Sequence, residues 1–294
     1  MRPEDSPFTP GQPVPIEFFV GRVSEIERVR ALVRAASIGK FRVGFISGER
    51  GIGKSSLVSF VRHLTEREDN VVGAHVFLGG VNTLTEMVRR TFDRVLKDSV
   101  EKPWHKKIRE LFGKYVKQVG LFGISVELEI PEADLASLVH GFAPHLRKLL
   151  AGLRNERQAM LIILDDINGL AGSAEFANWL KSTVDEIATN GNSVSVCILV
   201  VGLDERRQQL IRLQPSLARV FDVVEIKPWS REETSDFFCR TFGSVGIKVE
   251  DRAMELMVKF SGGLPVLAHE IGDAVWRKSN GPVNRRWRCV CWYF

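Results

Sequence analysis

The sequence predicts an α/β protein: a parallel sheet sandwiched by helices, followed by a small all-helical unit. Two observations carry this. Short, mostly apolar runs at residues 41–47, 71–78, 160–164, 194–201 and 222–226 alternate with segments of helical periodicity. A strand apolar along its length is buried on both faces, as in a parallel sheet covered by helices. After Pro228 no further strand pattern occurs.

Residues 1–15 hold five of the twelve prolines, so residues 1–17 read as an extended or disordered lead. Ser24 and Glu27 have capping-box spacing, and Ile26, Val29, Leu32 and Val33 recur on one face, predicting a helix over 24–36. The run 41–47 is a strand ending in a glycine-rich turn, and Leu57, Val58, Val61 and Leu64 continue as a helix. A second strand, 71–78, precedes a helix opened by Thr83 and Glu86 that carries Leu84, Met87, Val88, Phe92 and Val95. Residues 104–119 read as a basic helix, and the alternation of Ile124, Val126, Leu128 and Ile130 as a strand. Helices are predicted at 135–152, 174–189 and 204–212, between strands 160–164, 194–201 and 222–226. Ser230 and Glu233 form another capping box, opening a helix to 242, with further helices at 250–260 and 264–277. The domain plan is therefore a core at 18–228 with an insertion at 101–131, a helical lid at 229–280 and an irregular tail at 281–294.

The strongest chemical signal is Gly48-Glu49-Arg50-Gly51-Ile52-Gly53-Lys54-Ser55, which matches G-x-x-x-x-G-K-[ST] at every fixed position and lies between a predicted strand and a predicted helix. Glycines let the backbone wrap closely and aim N–H groups at phosphate oxygens, and the helix N-terminus adds its positive end. In that role Lys54 reaches the β- and γ-phosphates and Ser55 ligates Mg²⁺, with Ser56 completing the cofactor-binding set. The run Leu161-Ile162-Ile163-Leu164 ends in Asp165-Asp166. Asp165 fits the acid that holds the magnesium shell, and Asp166 sits where an acid can orient the attacking water.

Phe19-Val20-Gly21-Arg22 with Glu25, the loop 48–55, the run 161–166 and Gly262-Gly263-Leu264-Pro265 together resemble the AAA+/STAND superfamily of P-loop ATPases. Within it the chain is most similar to the origin-recognition-like and signal-transduction ATPases, over about residues 18–278. The resemblance implies the strand order 5-1-4-3-2, an adenine bordered by Val20 and Gly21, and Pro265 of the lid packing on the base from the other side. The Asp-Asp ending implies slow hydrolysis and a switch role. Two positions depart from the pattern or leave it open. Glycine, Gly202, stands where a polar γ-phosphate sensor is usual. Arg219, just before the last strand, reads either as a phosphate-facing arginine finger or as a solvated or ion-paired residue, with Arg212 the lesser candidate.

The charge is +5, but it is unevenly placed. Arg285, Arg286 and Arg288 of the tail have no acid beside them, and Lys102, Lys106, Lys107, Arg109, Lys114 and Lys117 face only Glu110. The rest of the chain is slightly acidic. The tail reads as a truncated or frame-shifted end in preference to a nucleic-acid or membrane contact. No run approaches the ~18 apolar residues of a membrane span. The N-terminus, with Glu4 and Asp5, lacks a leader's apolar stretch, and four cysteines make no disulfide framework, which predicts a cytoplasmic protein. Cys289 and Cys291 are too few for zinc. The expected ligands are ATP or ADP with Mg²⁺, and the expected partner a protein or a second copy. The rival reading is a DNA-associated ATPase of initiator or transposition-helper type; a third is a nucleotide-binding scaffold without turnover.

Overall fold

The computed structural model describes residues 6–12, 19–100, 102–119, 125–189 and 194–278. The remainder of the proline-rich lead, Ile124, and the tail 281–294 with Cys289 and Cys291 lie outside the described residues. In chain order the elements are α1 (Val23–Ser37), β1 (Arg42–Ser47), α2 (Lys54–Glu68), β2 (Val71–Phe77), α3 (Leu84–Ser99), α4 (His105–Phe112), β3 (Val116–Val119), β4 (Ser125–Leu128), α5 (Glu132–His140), α6 (Phe142–Leu153), β5 (Ala159–Asp165), α7 (Ala174–Thr189), β6 (Val196–Val201), α8 (Asp204–Leu213), β7 (Phe221–Glu225), α9 (Arg231–Gly243), α10 (Asp251–Ser261) and α11 (Pro265–Lys278). They fall into two compact units.

The sheet unit comprises residues 26–47 and 61–225. Its five-stranded sheet has the order β2-β5-β6-β1-β7, with every pair parallel. Counting these five strands in chain order, this is the expected 5-1-4-3-2. β5 and β6 are buried at every residue, which accounts for their uninterrupted apolar sequences. α3 buries Leu84, Met87, Val88, Phe92, Val95 and Leu96, spaced three and four apart, and Phe92 packs edge-tilted against Phe112 and Phe142 at 5.3 and 5.6 Å.

Three local expectations are corrected. Residues 116–119 are not helical: α4 stops at Gly113, and β3 pairs antiparallel with β4. The β-branched Val116 and Val119 favour that outcome. The helix expected over 135–152 is two helices, α5 and α6. Pro144 has no N–H to give the carbonyl of His140, so the chain restarts at Gly141, whose carbonyl accepts from His145 N at 3.0 Å. Ser24 does not cap α1. Arg22 is left-handed at φ 59°, the helix begins at Val23, and the Ser24 hydroxyl donates to Glu25 inside the first turn.

The second unit comprises the described parts of residues 1–25, 48–60 and 226–294. α9 opens with a complete capping box: Ser230 Oγ accepts from Glu233 N at 3.1 Å, and Ser230 N donates to Glu233 Oε2 at 2.9 Å. Gly263, at φ 74°, allows its carbonyl to accept from Trp229 N at 2.8 Å; a Cβ there would lie 2.4 Å from Trp229 O. The aromatic core of α9–α11 is completed from the N-terminus. Phe8 is buried against Phe237 and Phe242, with centroids 5.9 and 4.8 Å away, in space that exists because residue 272 is glycine.

His269 lies in this core. Thr9 N donates to its Nδ1 at 3.1 Å, which places the proton of the neutral ring on Nε2. Burial pushes the imidazole down to about 4 from its ordinary 6.5. The unfolded chain therefore takes up a proton between those values while the folded one does not. Stability is intact above about pH 6.5 and falls as pH drops toward 4, by up to about 3 kcal/mol. Urea denaturation at pH 7, 5.5 and 4.5 checks this, and His269→Phe should flatten the dependence. Glu86, held down to about 2 by Arg89 and then Arg90, adds to the loss only as pH falls from its ordinary 4.5, at the acid edge of that window.

Candidate functional site

β1 ends at Ser47, and the chain turns through residues 48–53 into α2. Gly51 has φ 76°, and a Cβ on it would lie 2.6 Å from Val266 Cγ1, so the turn needs glycine both for its backbone and for close packing. A Cβ on Gly48, at φ 151°, would meet Ile226 O at 2.8 Å. Lys54 is the first residue of α2, and its Nζ donates to Gly48 O at 2.8 Å and Glu49 O at 2.7 Å. Ser55 follows in the same turn, Ser56 and Ile52 are buried, and Glu49 and Arg50 are exposed.

The loop is held from two sides. The Arg22 guanidinium, 4% exposed, donates from Nη2 to Ile52 O at 2.8 Å. Burial draws it below its ordinary value, against the opposing pull of Glu25 and Glu233. Arg22 N donates to Glu233 Oε1 at 2.9 Å, so the carboxylate that closes the α9 capping box also fixes the Gly21-Arg22 turn. Gly21, at φ 66°, has no room for a Cβ against Glu233. From the other side, Val266 N at the start of α11 donates to Gly51 O at 3.3 Å, and Pro265 Cγ lies 3.5 Å from the Cβ position of Gly53. Val20 is buried in the aromatic core of the same unit. Val20, Gly21, the loop 48–55 and Pro265 thus share one unit. The motifs assign no role to Arg22 and Glu233, which bind them together, although Arg22 stands in the V-G-R lead.

In the sheet unit, Asp165 is the last residue of β5 and is buried. Its Oδ2 is 2.9 Å from Nε2 of buried His75 on the adjacent strand β2, and the His75 ring stacks on Phe77 at 4.3 Å. Nothing in the sequence around His75 announces this pairing, because it depends on strand order. Asp166 is left-handed at φ 62° and exposed; its Oδ1 accepts from Asn168 Nδ2. Asp165 stands level with Val201 of β6, and Val201 with Ile46 of β1, so Asp165 and Ile46 lie two strand spacings apart, about 10 Å. Gly48 follows Ile46 by two residues. Gly202, after β6, donates its N–H to Ile46 O at 3.1 Å, and a Cβ on it would sit 3.3 Å from Ile167 Cγ1. Arg219 is exposed at the end of a short 3₁₀ turn, residues 215–219, and Arg212 is exposed on α8.

A family model described as an AAA ATPase domain matches residues 19–194. The chain belongs to the AAA ATPase domain family. It is thus a P-loop ATPase of the nucleotide-binding AAA+ type. Solved structures agree on the fold. The Walker-type ATPase of Pyrococcus abyssi superposes with TM-score 0.59 at 16% identity, over 90% of this chain and 69% of that one. The Aeropyrum pernix ORC2 protein, in ADPNP–ADP complexes, gives 0.59 at 16% identity, over 95% and 66%. The ORC1 protein of the same organism, in complex with DNA, gives 0.54 at 13%, over 88% and 61%. The chain spans about two thirds of the length of these structures. A search of the curated proteins finds no match. Among the described residues no helix is long and apolar enough to cross a membrane.

Proposed function

We propose that this AAA+ chain binds ATP with Mg²⁺ at the 48–55 loop, hydrolyses it slowly, and works as a nucleotide-dependent conformational switch. The observation that carries the reading is the double tether of the loop, to Arg22 on one side and to the first turn of α11 on the other. A change in the loop on exchanging ATP for ADP is felt directly by the helices α9–α11. A ligand shifts such an equilibrium only by its differential affinity for the two arrangements, and these tethers are where that difference arises.

Lys54 would exchange loop carbonyls for the β- and γ-phosphates, and Gly48–Ser56 would supply N–H donors. Val20, Gly21 and Pro265 would border the base. The donor set fits Mg²⁺: the Ser55 hydroxyl and Asp165 carboxylate are hard oxygen ligands, and phosphate oxygens and water supply the rest. Among the described residues no group of three or more His, Cys, Asp or Glu is placed to hold a metal alone. The ion supplies charge neutralisation on the phosphates. Asp166 would orient the water that attacks the γ-phosphorus as the bridging oxygen leaves, and Arg219 would serve as an arginine finger. Slow turnover accords with Gly202, whose surroundings leave little room for a sensor side chain.

The test is calorimetric titration of ATP and ADP with Mg²⁺. Lys54→Ala should weaken ATP at least about tenfold, and unchanged affinity overturns the assignment. A DNA-associated ATPase is the second reading, favoured by the basic residues of 102–117 and by the DNA complex of the ORC1 protein. DNA retention that falls steeply with added salt near physiological ionic strength would select it.

A further inference from the structure

We propose that a groove at the N-terminal end of β2 is a second binding site, for a small ligand carrying two or more phosphate groups. The groove has a volume of about 690 Å³ and is walled by α2, the start of β2, the end of α3 and the turn before α4. That volume is within the range of sites for small organic ligands, roughly 300–1,000 Å³. Its position is separate from the P-loop chemistry. It opens beside Val71–Gly73, four to six residues along β2 from Phe77, the register partner of Asp165. That is about 13–20 Å along the strand.

The lining is cationic: Arg62, Arg67, Lys97, Lys102 and Arg157 outnumber the carboxylates of Glu66 and Asp98. Both carboxylates are engaged by Arg62, at 3.1 and 3.3 Å. This network lies flat on the edge strand only because residue 73 is glycine. A Cβ there would be 2.4 Å from Arg62 Cγ, and Gly73 N donates to Glu66 Oε1 at 3.1 Å. Glu66 thereby blocks the strand edge at Gly73, which disfavours an added peptide strand as occupant.

The rim cations are available for exchange. Arg67 pairs with its sequence neighbour Glu68, and Lys97 with Asp93 one turn back, and both cations are substantially exposed. Such surface pairs contribute little in water and yield to a doubly charged phosphate. Lys102 forms no ion pair among the described residues. Arg157 donates from Nη1 to Asn70 Oδ1 at 3.0 Å and to Glu66 O at 3.3 Å, leaving Nη2 and Nε to a ligand. Trp104, in the wall, has an indole N–H with no hydrogen-bond partner among the described residues.

The test uses the full chain carrying Lys54→Ala, so that the P-loop contributes little. Titration with tripolyphosphate, and separately with ADP, in low salt should show one saturable site. Lys97→Glu with Lys102→Glu, both exposed, should weaken it at least tenfold, whereas Lys97→Arg with Lys102→Arg should retain it. In the chain with Lys54 intact, the Glu pair should leave ATP binding at the P-loop in place, which separates failure of this site from failure of the nucleotide reading. No saturable binding in the Lys54→Ala chain, or binding indifferent to the Glu pair, overturns the proposal. So does binding of a single-stranded oligonucleotide that tripolyphosphate does not compete away, since the groove would then be part of an extended nucleic-acid surface.

Discussion

Asp165→Asn should lower Mg²⁺-dependent ATP hydrolysis by about 10³-fold while nucleotide affinity changes far less. The substitution keeps the shape of the side chain and removes its charge. In the proposed site, the triphosphate would be bound by the loop 48–55 and Lys54, which the change does not touch. Hydrolysis needs the charge that builds on the γ-phosphate oxygens to be met by a fixed cation, and in the proposed site Asp165, at the end of β5, is the acid that would hold it. Its neighbour is a different case: Asp166 is exposed and left-handed, and is held by Asn168. Asp166→Asn should therefore slow turnover without altering its dependence on Mg²⁺ concentration. Single-turnover phosphate release, measured across a range of Mg²⁺ concentrations, distinguishes the two. Full hydrolysis by Asp165→Asn would remove that residue from the site.

The contrast between these two aspartates shows how far the sequence reached. The apolar runs identified all five core strands, most plainly β5 and β6, whose full burial leaves no polar face to confuse the pattern. The loop 48–55 was legible because its chemistry needs particular residues at fixed spacing. The two helix-length failures share one cause. Whether 104–119 stays helical, and whether 135–152 is one helix, depended on Gly113, Gly141 and Pro144 outweighing a plausible apolar periodicity. The partners of the site were hidden by distance along the chain. His75 meets Asp165 across 90 residues, and Glu233 meets Arg22 across 211. Such pairs follow from strand order and helix docking, which local pattern does not encode. Phe8 is the same lesson in a segment whose prolines suggested only an extended lead: one aromatic side chain found a glycine-made socket in α11.

Arg22→Ala should destabilise the unit containing the P-loop by about 3 kcal/mol and weaken ATP by a further tenfold or more. The stability loss has two parts. A hydrogen bond from a charged donor to Ile52 O disappears, worth about 1.5–3 kcal/mol, and the buried stem of the side chain leaves a void. The affinity loss follows from geometry. Ile52 lies inside the loop, between Gly51 and Gly53, and once its carbonyl is released, the order of the loop must be restored by the nucleotide itself. Because Arg22 is left-handed, Arg22→Gly provides a control: it removes the same side chain but relieves about 1 kcal/mol of backbone cost. The glycine variant should be the more stable of the two and yet bind ATP no better. Denaturation midpoints and calorimetry on both variants settle the point. If ATP affinity tracked stability across the pair, Arg22 would be only a packing residue. If affinity is lost equally in both while stability differs, the guanidinium positions the P-loop.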